Sequence, residues 1–364
     1  MLLRALGPSV ALVGWTDDPN APIGQWHRRE IDGVVYDFFA TDHVPEPLYK
    51  RHLIPARAKN FFDFKRYGRA ILSCGIKNIL TQEPTVMMAL PFFSDHNVAF
   101  WFPGVEPTLS VSRYPGAKYF ANLFESLLIR ALRKHAKLIL AAADQGAIES
   151  FYTRCNGRLN DHKIVSFPTR VDTSTFQPSN KETARLTLKL PVDEIVCVTT
   201  GRLHRAKGWP LLLDAMEIFC LIKENAKLVF IGEGSDKKFL ESVIKSKNLS
   251  TQVILAGQKS QQDLALYLQA ADLFIMGSEA EGWSTSLVEA LATGLPIVSS
   301  RFSSADSMIK NGVNGFVVDR DPKVFAQAMV DALKLENVKG YSLIEIKKYA
   351  LSNLKDDLDK VWQC

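Results

Sequence analysis

The sequence has no uninterrupted apolar run of about 18 residues, the length a bilayer-spanning helix needs, so no transmembrane helix is expected. It also lacks any CxxC pair. The five cysteines, Cys74, Cys155, Cys197, Cys220 and Cys364, are odd in number and scattered. That pattern argues against a disulfide framework or a zinc site, and for reduced thiols in a cytoplasmic protein. Met1 to Trp15 is apolar but lacks the basic, then apolar, then small order of a secretory signal. No internal repeat or low-complexity tract is present. What remains is a globular chain of 364 residues, 47% of them hydrophobic, enough to build the cores of two domains.

Charge is unevenly placed. The formal net charge is +5, and residues 1–140, with 17 Lys and Arg against 12 Asp and Glu, hold the whole excess. The densest part is Lys50 to Arg69, where Lys50, Arg51, Arg57, Lys59, Lys65, Arg66 and Arg69 are opposed only by Asp63 and interleave with Phe61, Phe62, Phe64 and Tyr67. A basic, aromatic helix can lie on an anionic membrane surface. The plainer alternative is a solvated helix face whose aromatics pack inward. No recognised nucleic-acid module accompanies the charge, so no nucleic-acid partner is expected.

Along the first half, Leu2 to Leu6 with Gly7 reads as the end of a helix, and Val10–Trp15 and Gly33–Phe39 as strands. Thr16–Ile31 between them is rich in Asp, Pro, Asn and Gly and shows no helical period. An open α/β domain usually begins with a strand, a Gly-bearing loop and a helix. Without that unit, either the first domain is abbreviated or translation starts upstream of Met1. Helices are then expected over Arg51–Lys77, Met87–Phe93, Ala117–Lys134 and Gln145–Tyr152, and strands over Asn78–Leu80, Asn97–Phe102 and Lys137–Ala142. The polar segment Thr173–Asn180, with Pro178, reads as a linker.

The second half alternates more regularly. Strands are expected over Glu194–Thr200, Lys227–Ile231, Val253–Ala256, Asp272–Met276, Pro296–Ser300 and Phe316–Val318. Helices are expected over Trp209–Ile222, Asp236–Ser246, Gln261–Ala270, Thr285–Thr293 and Pro322–Leu335. Such alternation means βαβ units and a parallel sheet. A last amphipathic helix is expected over Ser342–Trp362. The domain division read from this pattern is 1–172, 173–340 and a C-terminal segment 341–364.

Ligands of open α/β sheets bind beyond the carboxyl ends of the strands, which directs attention to four loops. Gly201-Arg202-Leu203-His204-Arg205-Ala206-Lys207-Gly208 offers two fixed cations flanked by glycines, suited to a pyrophosphate. Gly232-Glu233-Gly234 follows the next strand, and Gly257-Gln258-Lys259, after a third, would let a nucleotide base approach the backbone. In the fourth loop Glu281-Gly282-Trp283 leads to Ser284, Thr285 and Ser286, hydroxyl residues that begin a helix and leave its first N–H groups free for an anion. Glu289 lies inside that helix among Leu287, Val288, Ala290 and Leu291, where a carboxylate needs a partner such as a hydroxyl pair. The triplets Asp319-Arg320-Asp321 and Asp357-Leu358-Asp359 invite a metal reading, but one follows a late strand and the other lies in a terminal helix, so no metal site is expected.

Taken together, the loops resemble the C-terminal domain of the large retaining glycosyltransferase family of GT-B fold that carries a Glu-x7-Glu motif (glycosyl transferases group 1, family 4-like). The resemblance rests on Gly201-Arg202-Leu203 with Lys207-Gly208, Ile231-Gly232-Glu233-Gly234, Val253 with Gly257, and Glu281-Gly282 with Glu289-Ala290, seven residues separating the acids. It runs from about Ile164 to Asp319. It implies an α/β fold of two Rossmann-like domains facing across a cleft, with the final helix returning towards the first domain. It also implies transfer of a hexosyl unit from a nucleotide-diphosphate sugar, with retention and without a metal or other cofactor.

In that scheme Arg202, Lys207 and Glu281 are the catalytic group. The two cations hold the diphosphate and Glu281 meets hydroxyls of the transferred sugar. Gly201, Gly232, Gly234, Gly257, Gln258, Lys259, Gly282, Trp283, Ser284, Thr285, Ser286 and Glu289 bind the donor, Glu289 through the ribose diol. The chain departs from the family pattern at Trp283-Ser284, often Phe-Gly, and at Pro168-Thr169-Arg170-Val171-Asp172, where Arg170 adds a cation. The cleft histidine expected after Asn97–Phe102 is replaced by Pro103-Gly104-Val105-Glu106. Glu106, Arg113 or Gln82-Glu83 are candidates to face the acceptor, and His96 reads as a loop histidine. The acceptor implied is a growing surface glycan or lipid-linked saccharide, with Lys50–Arg69 bringing the enzyme to the cytoplasmic face of the inner membrane. A donor-binding or scaffold protein with a reduced acceptor domain is the alternative. An epimerase fits the Glu-x7-Glu signature less well, and the lysine motif of a pyridoxal-phosphate phosphorylase is not found.

Overall fold

A computed structural model describes residues 10–31, 33–43, 53–73, 75, 77–89, 96–102, 121–143, 145–159, 164–302 and 304–363. The chain forms two compact units, Met1–Phe167 with Leu354–Cys364, and Pro168–Asn353. The readings made for Leu2–Gly7, Glu106 and Arg113 lie outside the described residues, as do Lys50, Arg51, Cys74 and Cys364.

In the first unit, β1 (Leu12–Thr16), β2 (Trp26–Ile31) and β3 (Val34–His43) form a three-stranded sheet in the order β1-β3-β2. β1 runs parallel to β3 and β2 antiparallel to it. The strand β2 corrects the irregular reading of Thr16–Ile31. Its sequence, Trp-His-Arg-Arg-Glu-Ile, carries almost no apolar alternation, and what makes it a strand is pairing with β3 from Ile31↔Val34 to Trp26↔Phe39. A second, all-parallel sheet has the order β4-β5-β6-β7, with β4 at Asn78–Thr81, β5 at Asn97–Phe102, β6 at Ala136–Ala141 and β7 at Ile164–Ser166. Helices Leu53–Leu72, Pro84–Ala89, Ala121–His135 and Gln145–Arg154 accompany it. The first ends five residues short of the expected Lys77, and the second begins at Pro84, which is favoured in a first helical turn. Phe39, Phe64, Met87, Phe100, Leu132 and Ile139 lie at the centre of the core.

The basic helix splits its aromatics between two environments. Phe64 is buried, Phe61 packs on the core, and Tyr67 meets Phe39 with ring centroids 5.8 Å apart, whereas Phe62 is 63% exposed. Lys59 is engaged by Asp42 and Asp63. Lys65, Arg66 and Arg69 are exposed. No helix among the described residues is long and apolar enough to cross a membrane.

The second unit carries a six-stranded parallel sheet in the order β10-β9-β8-β11-β12-β13. These strands are β8 (Ile195–Thr200), β9 (Ala226–Ile231), β10 (Val253–Gly257), β11 (Leu273–Met276), β12 (Ile297–Ser300) and β13 (Gly315–Val318). Consecutive strands step outward from β8 on one side and then return to its other side at β11. The order therefore reverses between β8 and β11, which opens a crevice at their carboxyl ends. The helix Trp209–Ile222 packs on Pro322–Ala332, burying Trp209, Met216 and Phe219 with Phe325 and Met329.

Two elements from Pro168 onwards differ from the sequence reading, the second of them ending in the first unit. A helix over Lys181–Leu188 follows Thr173–Asn180, capped by the Asn180 side chain accepting from the Thr183 N–H at 2.9 Å. The single helix expected over Ser342–Trp362 is broken instead into Val338–Glu345, the 3₁₀ turns Ile346–Tyr349 and Leu351–Asn353, and Leu354–Gln363. The break has a cause distant in sequence. The Val171 N–H donates to the Tyr349 carbonyl at 2.9 Å and the Leu351 N–H donates to the Val171 carbonyl at 2.8 Å, so these groups bond Val171 rather than a helical turn. Arg170 adds a bond from Nη1 to the Lys348 carbonyl at 2.7 Å, so this cation fastens the C-terminal segment.

The amino ends of the strands are held by a buried arginine. Arg185 donates from Nε to the Ala270 carbonyl at 2.9 Å, and from Nη1 to those of Val192 at 2.6 Å and Glu194 at 2.9 Å. Its remaining nitrogen pairs with Asp272, whose Oδ2 also accepts the Val196 N–H at 2.8 Å. Removing the arginine strands three carbonyls and leaves the Asp272 carboxylate with only the exposed Lys181 as a cation, at 2.7 Å. Arg185→Ala is therefore expected to destabilise this unit by about 3–5 kcal/mol in urea unfolding, and a loss below about 1 kcal/mol would show the network to be dispensable.

Candidate functional site

The loop after β8 is set by backbone contact. Gly208 has φ of +77°, and a Cβ built there would lie 1.6 Å from the Gly277 carbonyl oxygen, so only glycine fits. Gly232, with φ of +142°, would place a Cβ 1.9 Å from the Gly201 carbonyl oxygen. The Gly201 N–H donates to Ile231 at 3.0 Å, Leu203 to Glu233 at 3.1 Å and Gly232 to Gly257 at 2.9 Å. Gly234 rests against the Leu203 carbonyl, where a Cβ would come to 2.3 Å. These contacts bring the loops after β8, β9 and β10 side by side.

They border an open cavity of about 370 Å³ lined by Thr200, Gly201, Arg202, Ile231, Gly232, Glu233, Gln258, Lys259, Leu264, Thr285, Ser286 and Glu289. Eight residues singled out from the sequence thus share one wall: Gly201, Arg202, Gly232, Gln258, Lys259, Thr285, Ser286 and Glu289. Arg202 also borders a small adjoining recess with Thr199, Lys207 and Ser278. Beside that recess Lys207 forms an ion pair with Glu281, which also accepts from the Ser278 hydroxyl at 2.8 Å. Lys207 itself closes the 3₁₀ turn Arg205–Lys207, capped by His204 Nδ1 accepting from the Ala206 N–H at 3.2 Å.

The helix Thr285–Thr293 begins as expected. The Ser284 hydroxyl accepts from the Leu287 N–H at 3.3 Å, and Ser286 Oγ donates to the Thr200 carbonyl at 3.4 Å, tying the helix start to the end of β8. Glu289 is buried, only 8% exposed, and desolvation pushes its carboxyl up to about 7. Trp283 and Ser284 are not on the cavity wall. Ser284 is spent on the cap, and the Trp283 ring is buried edge-on against Tyr349, with centroids 5.3 Å apart. Lys259 sits 5.8 Å from the Tyr267 ring centroid.

Several wall residues were not picked out from the sequence. Thr200 borders the cavity, but its Oγ1 is itself buried, with no hydrogen-bond partner among the described residues. Its signal was its place, the last residue of a buried strand just before Gly201-Arg202. Ser278, whose hydroxyl meets Glu281, stands three residues before it and carried no assignment. Glu233 stood inside a glycine pair already noted, and it pairs with Lys237 at 2.8 Å.

Elsewhere, side chains considered for other roles are occupied. Glu83 Oε1 accepts from Thr85 Oγ1 at 2.8 Å, and Asp321 caps the helix Pro322–Ala332 by accepting from Lys323 and Val324 at 2.8 and 3.0 Å. Asp357 faces Lys360 at 3.6 Å. His96 lies just before β5, its Nδ1 buried without a hydrogen-bond partner among the described residues. Among the described residues no group of three or more His, Cys, Asp or Glu side chains is arranged to hold a metal ion.

Comparison with known proteins bears on the fold and on the second unit. Residues 180–348 match the family model described as glycosyl transferases group 1. The putative teichuronic acid biosynthesis glycosyltransferase TuaC of Bacillus subtilis (strain 168) is 31% identical over 164 residues, covering 44% of this chain and 39% of that protein. The chain spans about two fifths of the length of this and other curated relatives it matches. Among solved structures, sucrose-phosphate synthase from Thermosynechococcus elongatus superposes with a TM-score of 0.78 at 19% identity, over 99% of this chain and 91% of that one. Anabaena HepE in complex with UDP-glucose does so with a TM-score of 0.68 at 18% identity, over 90% and 85%. The fold class is GT-B, two Rossmann-like α/β units in one chain. The second unit is related to the glycosyl transferases group 1.

The buried acid gives a direct test of the site's electrostatics. The native carboxyl of Glu289 holds its proton up to about pH 7, against 4.5 for the ordinary group. Its contribution to stability is therefore complete below 4.5 and lost as the pH rises through 7. Glu289→Gln should match the wild type near pH 4.5 and exceed it by on the order of 3 kcal/mol at pH 8, read as unfolding midpoints across that range. A pH-independent difference would show that the carboxylate is solvated in the native state.

Proposed function

We propose that the chain is a retaining hexosyltransferase that moves a sugar from a nucleotide-diphosphate donor to a glycan or lipid-linked saccharide acceptor, without a metal ion, in surface polysaccharide or lipopolysaccharide synthesis. The observation that carries this reading is one cavity beside the reversal of strand order. Its wall joins Arg202 and the Thr285–Thr293 helix start to the buried Glu289. An anion and a hydroxyl pair are the ligand groups such a wall can satisfy together. A nucleoside diphosphate carries both in one molecule.

In transfer, the bond between the anomeric carbon and the diphosphate oxygen breaks, and the leaving nucleoside diphosphate keeps the electron pair. The acceptor hydroxyl oxygen forms the new bond, and its proton ends on the released nucleoside diphosphate or on water. Negative charge grows on the β-phosphate, where Arg202 and Lys207 would meet it as preorganised cations. Glu289 would accept from the ribose diol, and Gln258 and Lys259 with the backbone at Gly257 would border the base. Glu281 would accept from hydroxyls of the transferred sugar and, through its pair with Lys207, hold that cation before the donor arrives. UDP is the first nucleotide to try, since the HepE structure holds UDP-glucose. The C-terminal segment 341–364 would pack back towards the N-terminal domain, 1–172, which would serve as the acceptor side.

A thermal-shift screen of nucleotide sugars, beginning with UDP-glucose, tests the donor assignment. One donor should raise the unfolding midpoint. Lys207→Ala and Arg202→Ala should each weaken that donor by roughly 10- to 100-fold, as expected for a charged hydrogen bond of about 1.5–3 kcal/mol. If no donor shifts the midpoint, or if both variants bind as the wild type does, the donor-site assignment fails.

The same reading gives the exposed stripe of the basic helix a role at the cytoplasmic face of the membrane. Phe62 would enter the interface, and Lys65, Arg66 and Arg69 would meet anionic headgroups. Reversing these three charges to Glu should release the protein from vesicles rich in phosphatidylglycerol, at about 1 kcal/mol for each cation removed. Unchanged sedimentation with the vesicles would discard this role.

A further inference from the structure

One charged side chain outside the cavity wall is tied to the site through the backbone. Arg320 follows β13, two strands away from β11 across β12. Its Nη1 donates to the Gly277 carbonyl and its Nη2 lies 3.5 Å from Glu279 Oε1. The same turn is held from three further directions. The Gly277 carbonyl lies against Gly208, where no Cβ fits. The Glu279 N–H donates to the Ala206 carbonyl at 2.9 Å, and Ser300 Oγ donates to the Ser278 carbonyl at 2.6 Å. Every one of these bonds acts on Gly277–Glu279 or on the 3₁₀ turn that ends in Lys207. Two side chains leave this assembly towards the site: Lys207, and Ser278, which donates to Glu281.

We propose that Arg320 is a positioning residue that sets the Lys207–Glu281 pair through the Gly277–Glu279 turn. Resting on the donor-site reading above, it extends that site to a residue two strands away. The ion pair with Glu279 is exposed at both ends and contributes little by itself. The bond to the Gly277 carbonyl is the important one. It fixes the first peptide after β11, and the direction of that peptide decides where Ser278 and the Glu279 N–H point. A lysine at 320 can reach one acceptor as a point charge but cannot bridge the carbonyl and the carboxylate with a planar fork.

The test has a part that needs no ligand. In amide hydrogen exchange, Arg320→Ala should speed exchange at the Glu279 N–H, which is bonded to Ala206, by roughly tenfold or more, with Arg320→Lys between Ala and wild type. Unchanged exchange there overturns the proposal whatever the protein binds. The second part measures UDP-glucose affinity by calorimetry. Arg320→Ala should weaken binding by roughly fivefold to tenfold in the wild-type background and by less than about twofold on a Glu281→Gln background, because coupled residues are not additive. Equal losses on both backgrounds would mean a general structural role and overturn the positioning claim. If wild-type protein binds no nucleotide sugar, the donor reading falls and the positioning claim with it, but a faster Glu279 amide still establishes the brace as a structural feature.

Discussion

Close backbone contact at the carboxyl ends of β8, β9 and β11 is the constraint from which the site follows. The Gly208 α-carbon lies against the Gly277 carbonyl, and Gly232 against that of Gly201, at separations that leave no room for a side chain. Because peptide rather than side chain fills these spaces, the loops approach one another by a few ångströms more than ordinary packing allows. That approach lets Arg202 border both the cavity and the recess beside Lys207. Side chains that meet at the site are carried by parts of the chain far apart in sequence, Lys207 and Glu281 being separated by 74 residues.

Opposite ends of the same sheet obey different chemistry. At the amino ends, Arg185 and Asp272 satisfy one another and the neighbouring carbonyls, leaving little for a ligand to do. At the carboxyl ends, Thr200 Oγ1 lacks a hydrogen-bond partner among the described residues, and Glu289 lies in a desolvated place that favours its proton. Polar groups left partly unsatisfied cost stability unless something binds. The asymmetry separates the part of the unit that holds the fold from the part that offers a site.

Much of the second unit was legible in the sequence. Its strands and helices alternate with clear apolar runs, and the chemistry-bearing residues stand immediately after strands. Gly201-Arg202, Gly232-Glu233-Gly234, Gly257 and Glu281-Gly282 could therefore be located before any fold was known, and Ser284 could be read as a cap. The first unit was less legible, because β2 has no periodicity of its own and exists by pairing with β3. The C-terminal helix was misread for a related reason. Its amphipathic pattern is continuous, but Val171, more than 170 residues earlier, takes the backbone bonds at Tyr349 and Leu351.

The sequence by itself determined which residues stand at strand ends, where the helix beginning at Thr285 starts, and that an acid is carried on its buried side at Glu289. Those are local matters of periodicity, capping and hydrophobic spacing, each contained within a few turns of chain. Tertiary structure alone decided that Trp283 packs on Tyr349 rather than facing the cavity, that Arg170 fastens the C-terminal segment, and that Arg320 reaches Gly277. Such contacts depend on strand order and crossing distance, and a linear chain records neither. The order β9-β8-β11, with its reversal beside β8, turned separate loops into one wall.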